Sequence, residues 1–142
     1  MKVPSKTIFF TIEKTIKRYR KFSKDNFLKV LDDITIDQKL ILQYLNDYPE
    51  LSQKEIAELV FKDNASLTRM IDSMVNKKIL YRTINDGDRR RYKLKITAKG
   101  KEILDKLAPV IIENRRRALA NITVEEMVQL EKTLNKILSN LE

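Results

Sequence analysis

Between Lys77 and Lys101 the chain places ten basic residues against two acids, Asp86 and Asp88. That is a net +8 within 25 residues of a chain whose total is +9. Three of the ten are consecutive, Arg89, Arg90 and Arg91, beside one of the chain's two glycines, Gly87. Adjacent like charges repel, so such a run makes physical sense when a phosphate backbone supplies the counter-charge. A protein that was merely basic and soluble would mix its signs more evenly. Histidine and cysteine are both absent, which removes thiolate nucleophiles, Cys/His zinc sites and imidazole base catalysis. There is no Ser/His/Asp set and no Gly-rich phosphate loop, and no carboxylate spacing suggests a metal site. The chemistry on offer is binding, not catalysis, and no cofactor is implied.

The elements that must carry these charges are mostly helices. The chain has 142 residues, 42% hydrophobic, with three prolines, which suits one domain with helical arms. No signal peptide and no membrane-length apolar run is legible, so the cytoplasm is the expected location and no membrane partner is expected. A first helix is expected over residues 5–31, with Ile8, Ile12, Ile16, Tyr19 and Phe22 on one stripe, Phe27, Leu28 and Leu31 extending it, and an irregularity near Asp25 and Asn26. Thr35 and Gln38 form a capping box for a second helix with Leu40, Ile41, Tyr44, Leu45 and Tyr48 inward, ended by Pro49. Ser52 and Glu55 form another box, with Leu51 and Ile56 at the staple positions of a short helix. Asp63 caps the next, where Leu67, Met70, Ile71, Met74 and Val75 follow the helical period and Asn64, Ala65, Ser66 and Thr68 make a small, hydrogen-bonding first turn. "ILYRTI" (79–84) and "RYKLKIT" (91–97) read as strands around the turn Asn85-Asp86-Gly87-Asp88, with Tyr92, Leu94 and Ile96 facing the core. A long helix over 98–119 contains Pro109, which is expected to kink it. Thr123 and Glu126 box the last helix, whose Met127, Leu130, Leu134, Ile137 and Leu141 alternate in steps of three and four. That seam packs either on this chain or on a second copy.

Two helices joined by a tight turn, the second with a small polar first turn and followed by a basic hairpin, make a winged helix-turn-helix. The stretch from Leu51 to Leu104 resembles the DNA-binding core of MarR-type transcription regulators. The resemblance rests on Asp63, Ala65, Ser66, Thr68 and Arg69, then Asp72, then Asp88-Arg89-Arg90, then Ile96, Thr97 and Gly100, in order and at the family's spacing. It implies one domain over 1–142, mostly α with a small β-hairpin wing. Residues 35–97 would be the DNA-binding region, and 5–31 with 98–142 the helical dimerisation region. It also implies a homodimer on a pseudo-palindromic operator in double-stranded DNA, acting usually as a repressor. Carried over by position, Asn64, Ala65, Ser66, Thr68 and Arg69 would meet bases or nearby phosphates, and Asp72 would orient Arg69. Ser52 and Gln53 would meet a phosphate at a helix start. Arg90 would be the wing-tip arginine braced by Asp88, and Arg89, Arg91, Lys93 and Lys95 would hold backbone.

The chain departs from the family at two places. Ile79 stands where the family often has glycine to close the recognition helix, and Gly87 stands where the wing often has proline. The resemblance further implies a small-molecule effector, anionic or phenolic, between the dimer helices and the winged helix. Oxidant sensing through cysteine and metal sensing through histidine are closed to this chain. A lipophilic ligand, another regulator or no ligand stay open, as does a non-regulatory winged-helix module that binds protein or RNA. Tyr19, Tyr44 and Tyr48 are candidates for a pocket, although edge-of-core tyrosines are the plainer reading.

Overall fold

A computed structural model of the chain describes residues 4–85 and 87–142, and the side chains of residues 4, 5, 85 and 88–91 lie outside that description. The elements run α1 Pro4–Leu28, α2 Ile36–Asp47, α3 Gln53–Leu59, α4 Asn64–Asn76, β1 Leu80–Asn85, β2 Asp88–Ile96, α5 Ala98–Ala118 and α6 Val124–Asn140. Each cap read from the residues is formed. Thr35, Ser52 and Thr123 each close a reciprocal box with Gln38, Glu55 and Glu126, and Asp63 accepts from the Ser66 amide. These bonds satisfy N–H groups that the first turn leaves without helical partners, so local sequence decides where four of the helices begin.

Helix α1 is continuous through Asp25 and Asn26 and stops at Leu28, short of the expected Leu31. Helix α5 runs as one element through Pro109. The core gathers under α2, α3 and α4, with Ile41, Leu42, Ile56, Leu67, Ile71 and Met74 fully enclosed and Ile79, Leu80, Leu94 and Leu107 closing it from the hairpin and α5. Leu42, not named from the periodicity, is buried, whereas Tyr48 is 62% exposed. Tyr48 is the residue capping the C-terminus of α2, past the last full turn, so the helical period no longer governs where it faces. Among the described residues α1 places only Phe27 and Ser23 fully inside, and α6 places none.

The hairpin is antiparallel. Leu80 faces Ile96, Arg82 faces Leu94, and Ile84 faces Tyr92. The next pair is Asn85 with Asp88, so Arg89, Arg90 and Arg91 fall in a register irregularity on β2. Strand β2 therefore starts at Asp88, three residues before the expected Arg91, and takes in Arg89 and Arg90. Bulged residues bend and twist a strand, which is how wings change direction. Tyr92 does not anchor the hairpin as expected: it is 59% exposed, and Leu94 is the buried member of the trio, with Ile96 packed at the edge. Alternation puts Tyr92 on the same face as Leu94, but the core ends before reaching it.

Both helices of the helix-turn-helix end through a left-handed residue that is not glycine. Phe61 (φ 58) follows α3, where Lys62 N–H reaches the Ala57 carbonyl at 2.9 Å. Lys78 (φ 62) follows α4, where Lys78 N–H reaches Val75 at 2.9 Å and Ile79 N–H reaches Met74 at 3.1 Å. Lys78 thus takes the conformation that the absent glycine near position 79 would have taken, and Ile79 is free to be a core residue.

Candidate nucleic-acid interface

The first turn of α4 is an open polar surface. Asn64, Ala65, Thr68 and Arg69 are exposed and Ser66 is half-buried. The Thr68 hydroxyl donates to the Asn64 carbonyl at 2.8 Å and accepts from Gln53 Nε2 at 2.9 Å. Gln53 therefore ties the start of α3 to the polar first turn of α4, a link no local spacing reveals. Ser52 half-buries its hydroxyl in capping, accepting from the Glu55 amide at 3.1 Å. The amide of Ser66 donates to the Asp63 carboxylate at 2.7 Å, and together with the Ser66 hydroxyl it holds that carboxyl below its usual range.

Arg69 rests one guanidinium nitrogen on Ser66 Oγ at 3.2 Å. The expected brace from Asp72 is not there. Asp72 pairs instead with Arg82 on β1, which comes alongside α4 because Leu80 is buried against the same core. Arg82 was not among the candidate residues, since nothing in the sequence marks a pair across a helix and a strand. This pair fastens the wing to α4 and, among the described residues, leaves most of the Arg69 donors uncommitted.

Lys93 bonds Glu50 Oε1 at 3.0 Å, and Glu50 is open to solvent. Such an exposed pair contributes little stability and yields readily to a phosphate. The side chains of Asp88, Arg89, Arg90 and Arg91 lie outside the described residues, so the Asp88 brace of Arg90 does too.

The base of the wing is tightly tied. The Thr97 hydroxyl donates to the Lys78 carbonyl at 2.7 Å, and Lys99 Nζ donates to the Lys77 carbonyl at 3.0 Å. A Cβ on Gly100 would lie 2.5 Å from the Ile79 carbonyl oxygen and 2.7 Å from Ile96 Cγ2. Only glycine allows α5 to start against the end of α4. On the far side, Lys77 Nζ donates to Gln38 Oε1 at 3.0 Å, and Gln38 Nε2 reaches Ser73 Oγ at 3.4 Å, so α2 grips the same end of α4.

Two hollows lie away from this surface. An apolar groove of about 700 Å³ runs between α1, the end of α5 and α6, lined by Ile8, Ile12, Ile16, Leu130, Leu134 and Ile137 among others. A smaller cavity of about 190 Å³ sits between α1, α2 and α5. Tyr19 lines both; Tyr44 and Tyr48 line neither. The small cavity holds Lys39, which is 8% exposed and whose pKa is lowered to about 8. Burial is the main cause, followed by the cations Arg115 and Arg20, with Asp37 opposing. Lys39 was passed over in the sequence, although its place three residues after Ile36 and three before Leu42 sets it on the inner side of α2. Among the described residues no helix is long and apolar enough to cross a membrane.

Residues 34–92 match the sequence pattern of the MarR family. The fold is similar to that of solved structures over nearly its whole length. One is MepR from S. aureus in complex with DNA, at 23% identity and TM-score 0.76, covering 95% of this chain and 94% of that one. A second is a mutant of MarR from E. coli complexed with operator DNA, at 23% identity and TM-score 0.83, covering 93% and 94%. Wild-type MarR from E. coli in its apo form aligns at 26% identity and TM-score 0.72, covering 90% and 94%. With its capped α4, its two-stranded wing and a family match that runs from before α2 into β2, the chain has the winged helix-turn-helix fold of the solved MarR structures and carries a MarR-family segment over residues 34–92.

Proposed function

We propose that this protein is a DNA-binding transcriptional regulator that works as a homodimer on a pseudo-palindromic operator and represses. The observation that carries the reading is the pairing of an open polar first turn on α4 with a basic wing held to it through Arg82 and Asp72. Asn64, Ala65, Ser66, Thr68 and Arg69 would enter the major groove, where a bidentate arginine–guanine pair is worth about 1–3 kcal/mol of discrimination. Ser52, Gln53, Arg89, Arg91 and Lys93 would meet phosphates, with Arg90 in the flanking minor groove and Asp88 beside it. Two relatives in this fold carry DNA in their structures, which supports the same use here.

The dimer would form through residues 5–31 and 98–142, closing the apolar groove of α1 and α6 with the partner's copy of those helices. The groove's mostly apolar lining supports this, because a large apolar patch on a monomer marks an interaction site. The effector would be a small anion in the cavity beside Lys39. Selection of bound sites from random duplexes tests the reading. Two half-sites about one helical turn apart are expected, and Arg90→Ala should weaken operator binding strongly. Equal, weak binding to every duplex would refute sequence-specific regulation.

A further inference from the structure

The cavity between α1, α2 and α5 is rich in donors and short of acceptors. The Lys39 ammonium has no hydrogen bond or ion pair among the described residues. Its nearest aromatic contact is the Phe27 ring, 5.2 Å from Nζ. Asp37, the acid facing it, is already held by Arg20 at 2.7 Å and approached by Lys62 at 3.6 Å. Arg115, from α5, brings a second cation to the same cavity. Asn114 is 1% exposed, and among the described residues its Nδ2 has no partner, while its Oδ1 accepts from Asn26 at 2.8 Å. Ile36, Leu40 and Ile111 supply apolar walls.

A buried, unpaired amine beside other cations is costly as an ammonium ion, and the neutral form is a nucleophile. Desolvation and a neighbouring cation are the two devices that activate lysines toward carbonyl groups. We propose that Lys39 is a carbonyl-reactive amine, and that this cavity takes a small aldehyde or 2-oxo acid whose carboxylate is held by Arg115 and whose carbonyl carbon condenses with Nζ. The Nζ lone pair attacks that carbon, and an amine proton moves to the carbonyl oxygen to give a carbinolamine. Loss of water then leaves an imine, with no net oxidation or reduction. The apolar walls from Ile36, Leu40 and Ile111 favour the dehydration. The unpaired Asn114 amide offers a donor to the oxygen while it is still attached.

The regulatory consequence rests on reading this cavity as the effector pocket. Lys39 adjoins Gln38, whose amide contacts Lys77 and Ser73 at the end of the recognition helix. An adduct would load the turn of α2 that holds α4.

The test treats the full chain with glyoxylate, reduces with borohydride and maps adducts by peptide mass spectrometry. At pH 7.5 an amine with a pKa of about 8 is deprotonated on the order of a hundredfold more than one at 10.5. The adduct should therefore concentrate on Lys39, forming about tenfold or more faster than on surface lysines, with a rate that turns near pH 8. Arg115→Gln should move that turn to higher pH. Lys39→Arg, which keeps the charge, should lose the adduct while keeping the thermal midpoint. Glycolate, which has the carboxylate but no aldehyde or keto carbonyl, should slow labelling without leaving an adduct.

Labelling spread over surface lysines with Lys39 unmodified would overturn the proposal. So would glyoxylate and glycolate raising the thermal midpoint equally with no adduct on Lys39, which would make the cavity a non-covalent anion site. A stoichiometric Lys39 adduct that leaves operator affinity unchanged would uphold the amine chemistry and overturn its regulatory consequence. Absence of any operator would bear on the proposed function alone.

Discussion

Gly100 and Lys39 are single residues whose roles rest on contacts from distant elements, although the helical period already sets Lys39 on the inner side of α2. Gly100 sits in a helix, where glycine is a weak choice, and is explained only by the Ile79 carbonyl 2.5 Å from where a Cβ would stand. Gly100→Ala should destabilise by about 1–3 kcal/mol in urea unfolding, because backbone and not a flexible side chain must move. An unchanged midpoint would mean that the helix start shifts freely. Lys39 is a stability cost in the free protein. Its folded-state pKa of about 8 lies below the ordinary 10.5, so between those values the unfolded chain holds the proton more tightly. Stability from this group is therefore lowest below pH 8 and recovers as pH rises toward 10.5. Lys39→Met should stabilise by about 2 kcal/mol at pH 7, with the gain shrinking above pH 8. A gain that does not vary with pH would contradict the burial argument. Arg69 and Asp72 show the same limit of sequence reading. Their three-residue spacing suggested a pair, but a strand cation, Arg82, reached the carboxylate first.

At the scale of elements, the caps were the most legible features, because a side chain bonding an amide three residues on is a local event. The ends were less so. Two of the chain's helices close on left-handed Phe61 and Lys78, residues with no intrinsic preference for that conformation. Phe61 is 92% exposed, so its burial does not compensate. The closure holds because the residues that follow, Lys62 after Phe61 and the buried Ile79 after Lys78, complete the terminal hydrogen bonds. Lys78→Gly should raise stability by about 0.5–1 kcal/mol with the wing register retained. A loss of stability on thermal unfolding would show that the lysine makes a contribution beyond its backbone angle. The wing was foreseen as a hairpin, but its register irregularity at Arg89 to Arg91 and the exposure of Tyr92 follow from how far the core extends beneath it, which period-two alternation does not encode.

For the whole molecule, the division between head and arms decides behaviour. The head is enclosed by α2, α3, α4 and the hairpin, whereas α6 contributes no buried residue. A charge in the groove should therefore separate assembly from folding. Leu134→Lys, placed among Ile12, Ile16 and Leu130, should shift sedimentation to the monomer, keep most helical circular dichroism and weaken binding to a two-half-site duplex by an order of magnitude or more through lost linkage of the two heads. A variant that still sediments as a dimer would refute the groove as the subunit interface.

By itself the sequence determined the helix starts, the polar first turn of α4, the basic hairpin after it and the family resemblance. Each depends on residues within a turn or two of one another. Tertiary structure decided which cations stay uncommitted, that Asp72 belongs to Arg82, that Gln53 supports Thr68, and that Lys39 is shut in a cavity beside Arg115 and Asn114. Those outcomes depend on which surfaces the core draws together across tens of residues, and burial then changes what a charge can do. A lysine that would be an ordinary solvated cation on an isolated helix becomes, when α1, α2 and α5 close around it, an amine with its proton loosely held.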